Sequence, residues 1–187
     1  MDSIQGRALV ASPYLTDSNF LRSVVYILRH DEEGAIGLII NRPTPTTIGS
    51  LLEQLLDEAV ENEMPVYYGG PVEGPLMLLQ ERSGPVAGMS ALYVASDQQC
   101  ILQICNPLGP QDKSLGRYRV FDGYSGWGAG QLDDEMRCGG WLLWDVEPDQ
   151  LFSDPDELWQ LAIKQIGREI LSGGIDPSKI PEDPAYN

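Results

Sequence analysis

The chain of 187 residues is poor in positive charge, in histidine and in cysteine, and each shortage excludes something. Twelve Lys and Arg stand against twenty-eight Asp and Glu, a formal net charge of −16. Nucleic-acid binding draws on cations that neutralise phosphates and release counterions, so a chain this acidic repels a polyanion at long range. The densest basic spot, Arg117-Tyr118-Arg119, is too small for a footprint, and the same charge opposes an anionic membrane surface. A single histidine, His30, excludes two-histidine metal sites and leaves one candidate for any histidine base. Cys100, Cys105 and Cys138 are odd in number and lack paired ligand spacing, which suits reduced thiols in a cytoplasm and implies no metal. No apolar run approaches the ~20 residues that span a bilayer. Nor does MDSIQGRALVAS show the basic region and long apolar stretch of a secretory signal.

What is present is an ordinary globular composition, 42% hydrophobic and 21% charged, with a length that predicts one domain over 1–187. RALVAS (7–12) and RSVVYILRH (22–30) read as strands, and AIGLIIN (35–41) follows the second across the short polar turn DEEG. Those last two predict an antiparallel hairpin, with Gly34 free to take positive φ. RPTPT (42–46) is expected to end the hairpin's second strand, because proline lacks the ladder donor. A helix follows, with Leu51, Leu52, Leu55, Leu56, Ala59 and Val60 at helical spacing and Ser50 and Glu53 placed as a capping box. Further strands are predicted at 65–69, 75–80, 90–95, 116–121 and in GWLLWDV, with helices in SDQQCILQICN and QLDDEMRC. The last helix opens on Asp154 as cap and Pro155 in the first turn. Its apolar stripe is Trp159, Ala162, Ile163, Ile166 and Ile170. A Pro-rich tail, 172–187, is expected to be extended. Strands that outnumber helices and alternate with them only in part predict a mixed α+β or α/β fold.

The segment FDGYSGWGAGQLDDEM (121–136) invites three functional readings, and spacing rejects each. A Walker loop needs a lysine that is missing. A dinucleotide fingerprint needs G-x-G-x-x-G, whereas Gly126, Gly128 and Gly130 run as G-x-G-x-G. A nucleophile elbow needs glycine two residues after Ser125, and Trp127 stands there. No cofactor is implied. What remains is a strand-to-helix turn pinned by Tyr124 and Trp127, with Asp133 and Asp134 in the first turn of the next helix. The backbone N–H groups of that helix N-terminus can bind a small anion, but the adjacent carboxylates oppose a highly charged one, and a neutral or cationic ligand suits the site better.

Several blocks together carry a family likeness. ASPYLTDSNFLRSVVYILRHDEEGAIGLIINRP, YYGGPVEG (67–74) and GYSGWGAGQLDDEM, with Trp141 beyond, resemble the signature of the AlgH/YqgE-like family of bacterial proteins. The likeness runs from residue 7 to about 166; Ser125 stands where alanine is usual and Asp133 where glutamate is usual. It implies an α/β (mixed α+β) fold whose mixed sheet is bifurcated and curls into a partial barrel with helices packed on it. Some members are labelled transcriptional regulators for their association with exopolysaccharide control. No helix-turn-helix with a basic second helix supports that here, and the net charge opposes it.

Candidate site residues fall in two groups. Asp17, Arg22 and Ser23, beside Asn41 and Arg42, either pin a loop onto a strand or line a polar pocket. Gly123, Tyr124, Trp127, Gln131, Asp133 and Glu135 belong to the glycine segment. His30, at the hairpin end, is expected to share one face of its strand with Arg22, Val24, Tyr26 and Leu28; eight residues at about 3.3 Å put His30 and Arg22 roughly 26 Å apart. The leading expectation is a non-enzymatic regulatory or adaptor domain acting through a protein or small-ligand partner. The alternatives are an enzyme or small-molecule sensor with a pocket at Asp17, Arg22, Asn41 and 123–131, and a DNA-binding regulator suggested by the family label alone.

Overall fold

The computed structural model describes residues 2–56, 60–83, 90–96, 101, 105 and 116–172, with 55, 56, 83, 90 and 91 as backbone only. The predicted helix in SDQQCILQICN and the tail beyond Ser172 lie outside these residues, apart from Ser96 and the buried Ile101 and Cys105. The fold is mixed α+β, with two five-stranded sheets, one of them curled into a half-barrel, and four helices among the described residues. The strands are β1 (Ala8–Ala11), β2 (Val24–Asp31), β3 (Gly34–Ile39), β4 (Pro43–Thr47), β5 (Pro65–Tyr68), β6 (Met77–Ser83), β7 (Ser90–Ala95), β8 (Tyr118–Asp122), β9 (Ser125–Gly128) and β10 (Trp141–Trp144). The helices are α1 (Ile48–Leu56), α2 (Gln131–Arg137), α3 (Pro148–Leu151) and α4 (Pro155–Ser172).

The first sheet has the order β10-β1-β2-β3-β9 and is antiparallel throughout. The second has the order β4-β5-β8-β6-β7, with β5 and β8 parallel. Strand alternation divides the first sheet's side chains between two cores. Ala8, Val10, Val24, Tyr26, Leu38 and Ile40 face Tyr67, Leu79 and Phe121 of the second sheet and Leu158, Ala162 and Ile166 of α4. Leu9, Ala11, Val25, Ile27 and Ile39 face the other way, toward Trp127, Leu132 and Trp141. A third core packs Ile48 and Leu52 of α1 on Val66, Leu78 and Val120.

Five expectations change, four of them in element boundaries and stripes. The prolines of RPTPT do not stop pairing: Pro43–Thr47 forms β4 at the edge of the second sheet, with an irregular register against β5. An edge strand can lose its outward donor without loss to the ladder. Helix α1 begins before Ser50, and Thr47 is its cap: the Ser50 amide donates to Thr47 Oγ1 at 3.1 Å. Ile170 of α4 is 71% exposed, and Leu158, outside the predicted stripe, is buried in its stead. The residues SGWG form a true strand, β9, paired with β3 from Ser125↔Gly37 to Gly128↔Gly34.

A bulge decides where His30 lies. Ile27 pairs with Gly37 and Arg29 with Ile36, so Leu28 is the extra residue and the alternation of faces reverses beyond it. His30, opposite Ala35, therefore joins the face of Val25 and Ile27, away from Val24 and Tyr26. Arg22 is outside the strand altogether, in a loop at φ 54°.

The basic spot is spent internally. Arg117 pairs with Glu81 at 2.8 Å and with Asp149. Arg119 is buried and donates to the carbonyls of Ile40, Leu151 and Ser153 at 2.6–2.7 Å, its guanidinium over the Tyr67 ring. Burial pushes its pKa down, yet a guanidinium stays charged at any ordinary pH. It ties β8 to the end of β3 and to the turn after α3.

Candidate functional site

The two glycine blocks meet at the junction of the sheets. The Gly69 amide donates to the Asp122 carbonyl at 2.8 Å and the Ile39 amide to the Gly69 carbonyl at 2.9 Å. Val72 and Tyr124 exchange both backbone bonds at 3.0 Å. Backbone approaches so closely that only glycine fits: a Cβ on Gly70, at φ 151°, would lie 2.3 Å from the Tyr124 carbonyl carbon. Ser125 is fully buried and its hydroxyl donates to the Gly69 carbonyl at 3.1 Å. That hydroxyl serves the joint and is sealed from any substrate.

Past Ser125 the segment opens. A pocket of about 410 Å³ lies between β9, α2, the loop from Tyr14 to Phe20 and the turn Cys138–Gly140, with Pro71 at its side. Its floor is aromatic. Phe20 stacks on Trp127 with centroids 5.9 Å apart and meets Trp141 edge-on at 5.3 Å; the two indoles are themselves edge-on at 6.0 Å. Glu135 joins them: its Oε2 accepts from Trp127 Nε1 at 3.0 Å and from Trp141 Nε1 at 2.8 Å, while Oε1 accepts from Gln131 Nε2 at 2.9 Å. Gln131 in turn accepts from the Gly128 amide at 3.1 Å, which fixes α2 against the end of β9. Gly130, at φ 72°, turns the chain between the two.

The loop that carries Phe20 is held from several sides. Asp17 Oδ1 accepts from the Asn19 amide at 2.8 Å, an Asx turn, and the Phe20 amide donates to the Asp17 carbonyl. Ser23 Oγ donates to the Phe20 carbonyl at 2.9 Å. Asn41 accepts from the Val24 amide at 2.8 Å and donates to the Arg22 carbonyl at 3.0 Å, spanning the residue whose left-handed backbone turns the loop into β2. Arg42 donates to the carbonyls of Asn19, at 2.7 Å, and Leu21.

Of the residues singled out in the sequence, Asp17, Trp127, Gln131 and Glu135 line this pocket. Ser23, Asn41 and Arg42 shape the loop beside it, and the Arg22 side chain lies over Trp159. Gly123 and Tyr124 belong to the joint. His30 and Asp133 meet elsewhere, with Nε2 3.7 Å from Oδ1. His30 Nδ1 accepts from the Ile4 amide at 3.3 Å, so the neutral ring carries its proton on Nε2. Sequence reasoning missed Tyr14, Phe20, Pro71, Cys138 and Trp141. The spacing of Glu135 eight residues after Trp127 and six before Trp141 has meaning only once the three are folded together.

The model of the AlgH-like family, DUF179, matches residues 8–171. The chain belongs to the AlgH-like family. Its relatives include a UPF0301 protein of Streptomyces avermitilis, 36% identical over 100% of this chain and 97% of that one. Another, from Cupriavidus pinatubonensis, is 35% identical over 91% and 93%. Among solved structures, the AlgH protein of Pseudomonas aeruginosa superposes with a TM-score of 0.69 at 29% identity, covering 92% of this chain and 94% of that one. A Corynebacterium diphtheriae protein shares the fold at 18% identity, with a TM-score of 0.68 over 88% of each chain. Both glycine blocks fall inside the matched family region.

Proposed function

We propose that this member of the family is a non-enzymatic regulatory domain that binds a small neutral or cationic ligand in the Phe20–Trp127–Trp141 pocket and reports its presence to a protein partner. The observation that carries this reading is the aromatic floor organised around one carboxylate, which is recognition chemistry. Aromatic faces supply contact area at low entropic cost, and the fixed carboxylate supplies orientation. The residues on which an enzyme would rely are engaged elsewhere: Ser125 in the joint, His30 with the Ile4 amide. Direct contact with nucleic acid is disfavoured by the net charge of −16 and by the internal use of Arg117 and Arg119. Cys138 is an exposed free thiol, which fits a reducing cytoplasm. None of the described helices is long and apolar enough to cross a membrane.

A thermal-shift screen against metabolites tests the reading. A ligand at a hundredfold its Kd stabilises by about 2.7 kcal/mol, roughly 5–10 °C in a chain of this size. Hits should also slow alkylation of Cys138, an exposed thiol in the pocket lining. A screen without hits contradicts ligand binding, and turnover of a hit contradicts the non-enzymatic reading.

A further inference from the structure

Resting on that reading, we propose that the pocket's ligand is a small organic cation with an alkylated ammonium group, Glu135 being its counter-ion. The first support is electrostatic. Glu135 is oriented by three donors, and all three are neutral: two indole N–H groups and a carboxamide. Neutral donors fix a carboxylate without cancelling its charge. A second carboxylate, Asp17, also lines the pocket, and among the described residues neither Lys nor Arg does. Of the neighbouring arginines, Arg137 is paired with Asp134, while Arg42 is held on two loop carbonyls and Arg22 over Trp159, both outside the pocket lining. The lining thus carries carboxylate charge that a cationic ligand can balance.

The second support is the rings. A cation beside an aromatic face is attracted by the ring quadrupole, most strongly with tryptophan. Here both indole N–H groups point at a carboxylate, which draws the proton side of each ring toward the anion and enriches the π face.

The third support distinguishes among cations by counting acceptors. A carboxylate offers about four lone-pair sites, and Glu135 has three occupied. A primary ammonium brings three N–H donors, and Glu135 has one site left for them, so such a ligand would have to draw on Asp17 as well. A quaternary ammonium brings none. Its methyl groups fit the apolar floor, and its diffuse charge costs less to desolvate. A volume of about 410 Å³ lies near the lower end of ligand pockets, which suits a compact molecule.

Calorimetric titration of the full chain with three probes tests this: choline, its uncharged isostere 3,3-dimethyl-1-butanol, and the primary diamine putrescine. Choline should bind about tenfold or more tighter than the isostere, weaken as salt rises, and slow alkylation of Cys138. Glu135→Gln retains an oxygen for the indoles, and should bring choline to within about twofold of the isostere. Should that variant unfold, Asp17→Asn, which still accepts from the Asn19 amide, should weaken choline about two- to threefold by loss of charge alone. Equal binding of choline and isostere overturns the cation while leaving a ligand pocket standing. Tighter putrescine overturns alkylation as the selective feature. If no probe protects Cys138, the cation proposal fails, and the metabolite screen decides separately whether the pocket binds anything.

Discussion

Two stretches of one segment, Asp122–Ser125 and Gly126–Glu135, each combine glycine with an aromatic residue, and the fold uses them in opposite ways. In the first, glycine permits backbone to lie against backbone. Gly123, at φ 70°, sits with the Gly70 carbonyl oxygen 2.8 Å from where a Cβ would be, and Ser125 is sealed beneath Gly69. In the second, glycine leaves space: nothing lies within 4 Å of a Cβ on Gly130, and the nearest atom to one on Gly128 is 3.9 Å away. Glycine content alone therefore says nothing of a binding loop. The surroundings of each missing Cβ separate a joint from a pocket wall.

The largest effect should come from closing that difference in the joint. Gly70→Ala places a methyl group against the Tyr124 backbone at a φ unsuited to alanine, and should cost about 3 kcal/mol or more, measured by denaturant unfolding. Next comes Glu135→Ala, which leaves two indole donors without their acceptor; about 2 kcal/mol of stability should be lost, together with ligand binding. Gly130→Ala meets no clash and bears only the left-handed backbone, about 1 kcal/mol, with the pocket intact. Ser125→Ala should be smallest, within about 1 kcal/mol, and should leave Cys138 alkylation and its protection unchanged. A loss of ligand binding in Ser125→Ala with the fold retained would erase the boundary drawn between joint and pocket.

Much of the fold was legible because its signals are local. The Val, Ile and Tyr content of 22–30 and 35–41 marked β2 and β3, and Asp154 with Pro155 marked the start of α4. The Asp154 carboxylate accepts from the Asp156 amide at 3.0 Å, as a cap should. What escaped depends on partners distant in sequence. SGWG has poor strand propensity, and is a strand because β3 offers it an edge. The prolines of β4 are tolerated because that strand is itself an edge. The bulge at Leu28 leaves no mark in composition, yet it moves His30 to the opposite face. For the pocket, Trp127, Gln131 and Glu135 stand in one visible block, and Asp17 in another. Phe20 and Trp141 were not legible as their partners, since each is brought there by long-range packing: Phe20 by the Asn41–Arg42 clamp, Trp141 by the pairing of β10 with β1.

The indole N–H resonances of the four tryptophans provide the most direct test of the division. Trp127 and Trp141 donate to Glu135 in the pocket. Trp159 donates to the Ala11 carbonyl at 2.8 Å, and the Trp144 nitrogen is buried without a hydrogen-bond partner among the described residues. In a titration with choline followed by ¹⁵N–¹H correlation spectra, the Trp127 and Trp141 indole signals should move in step and saturate together, while those of Trp144 and Trp159 hold still. Four stationary signals, or equal movement of all four, would contradict a cation seated at Glu135.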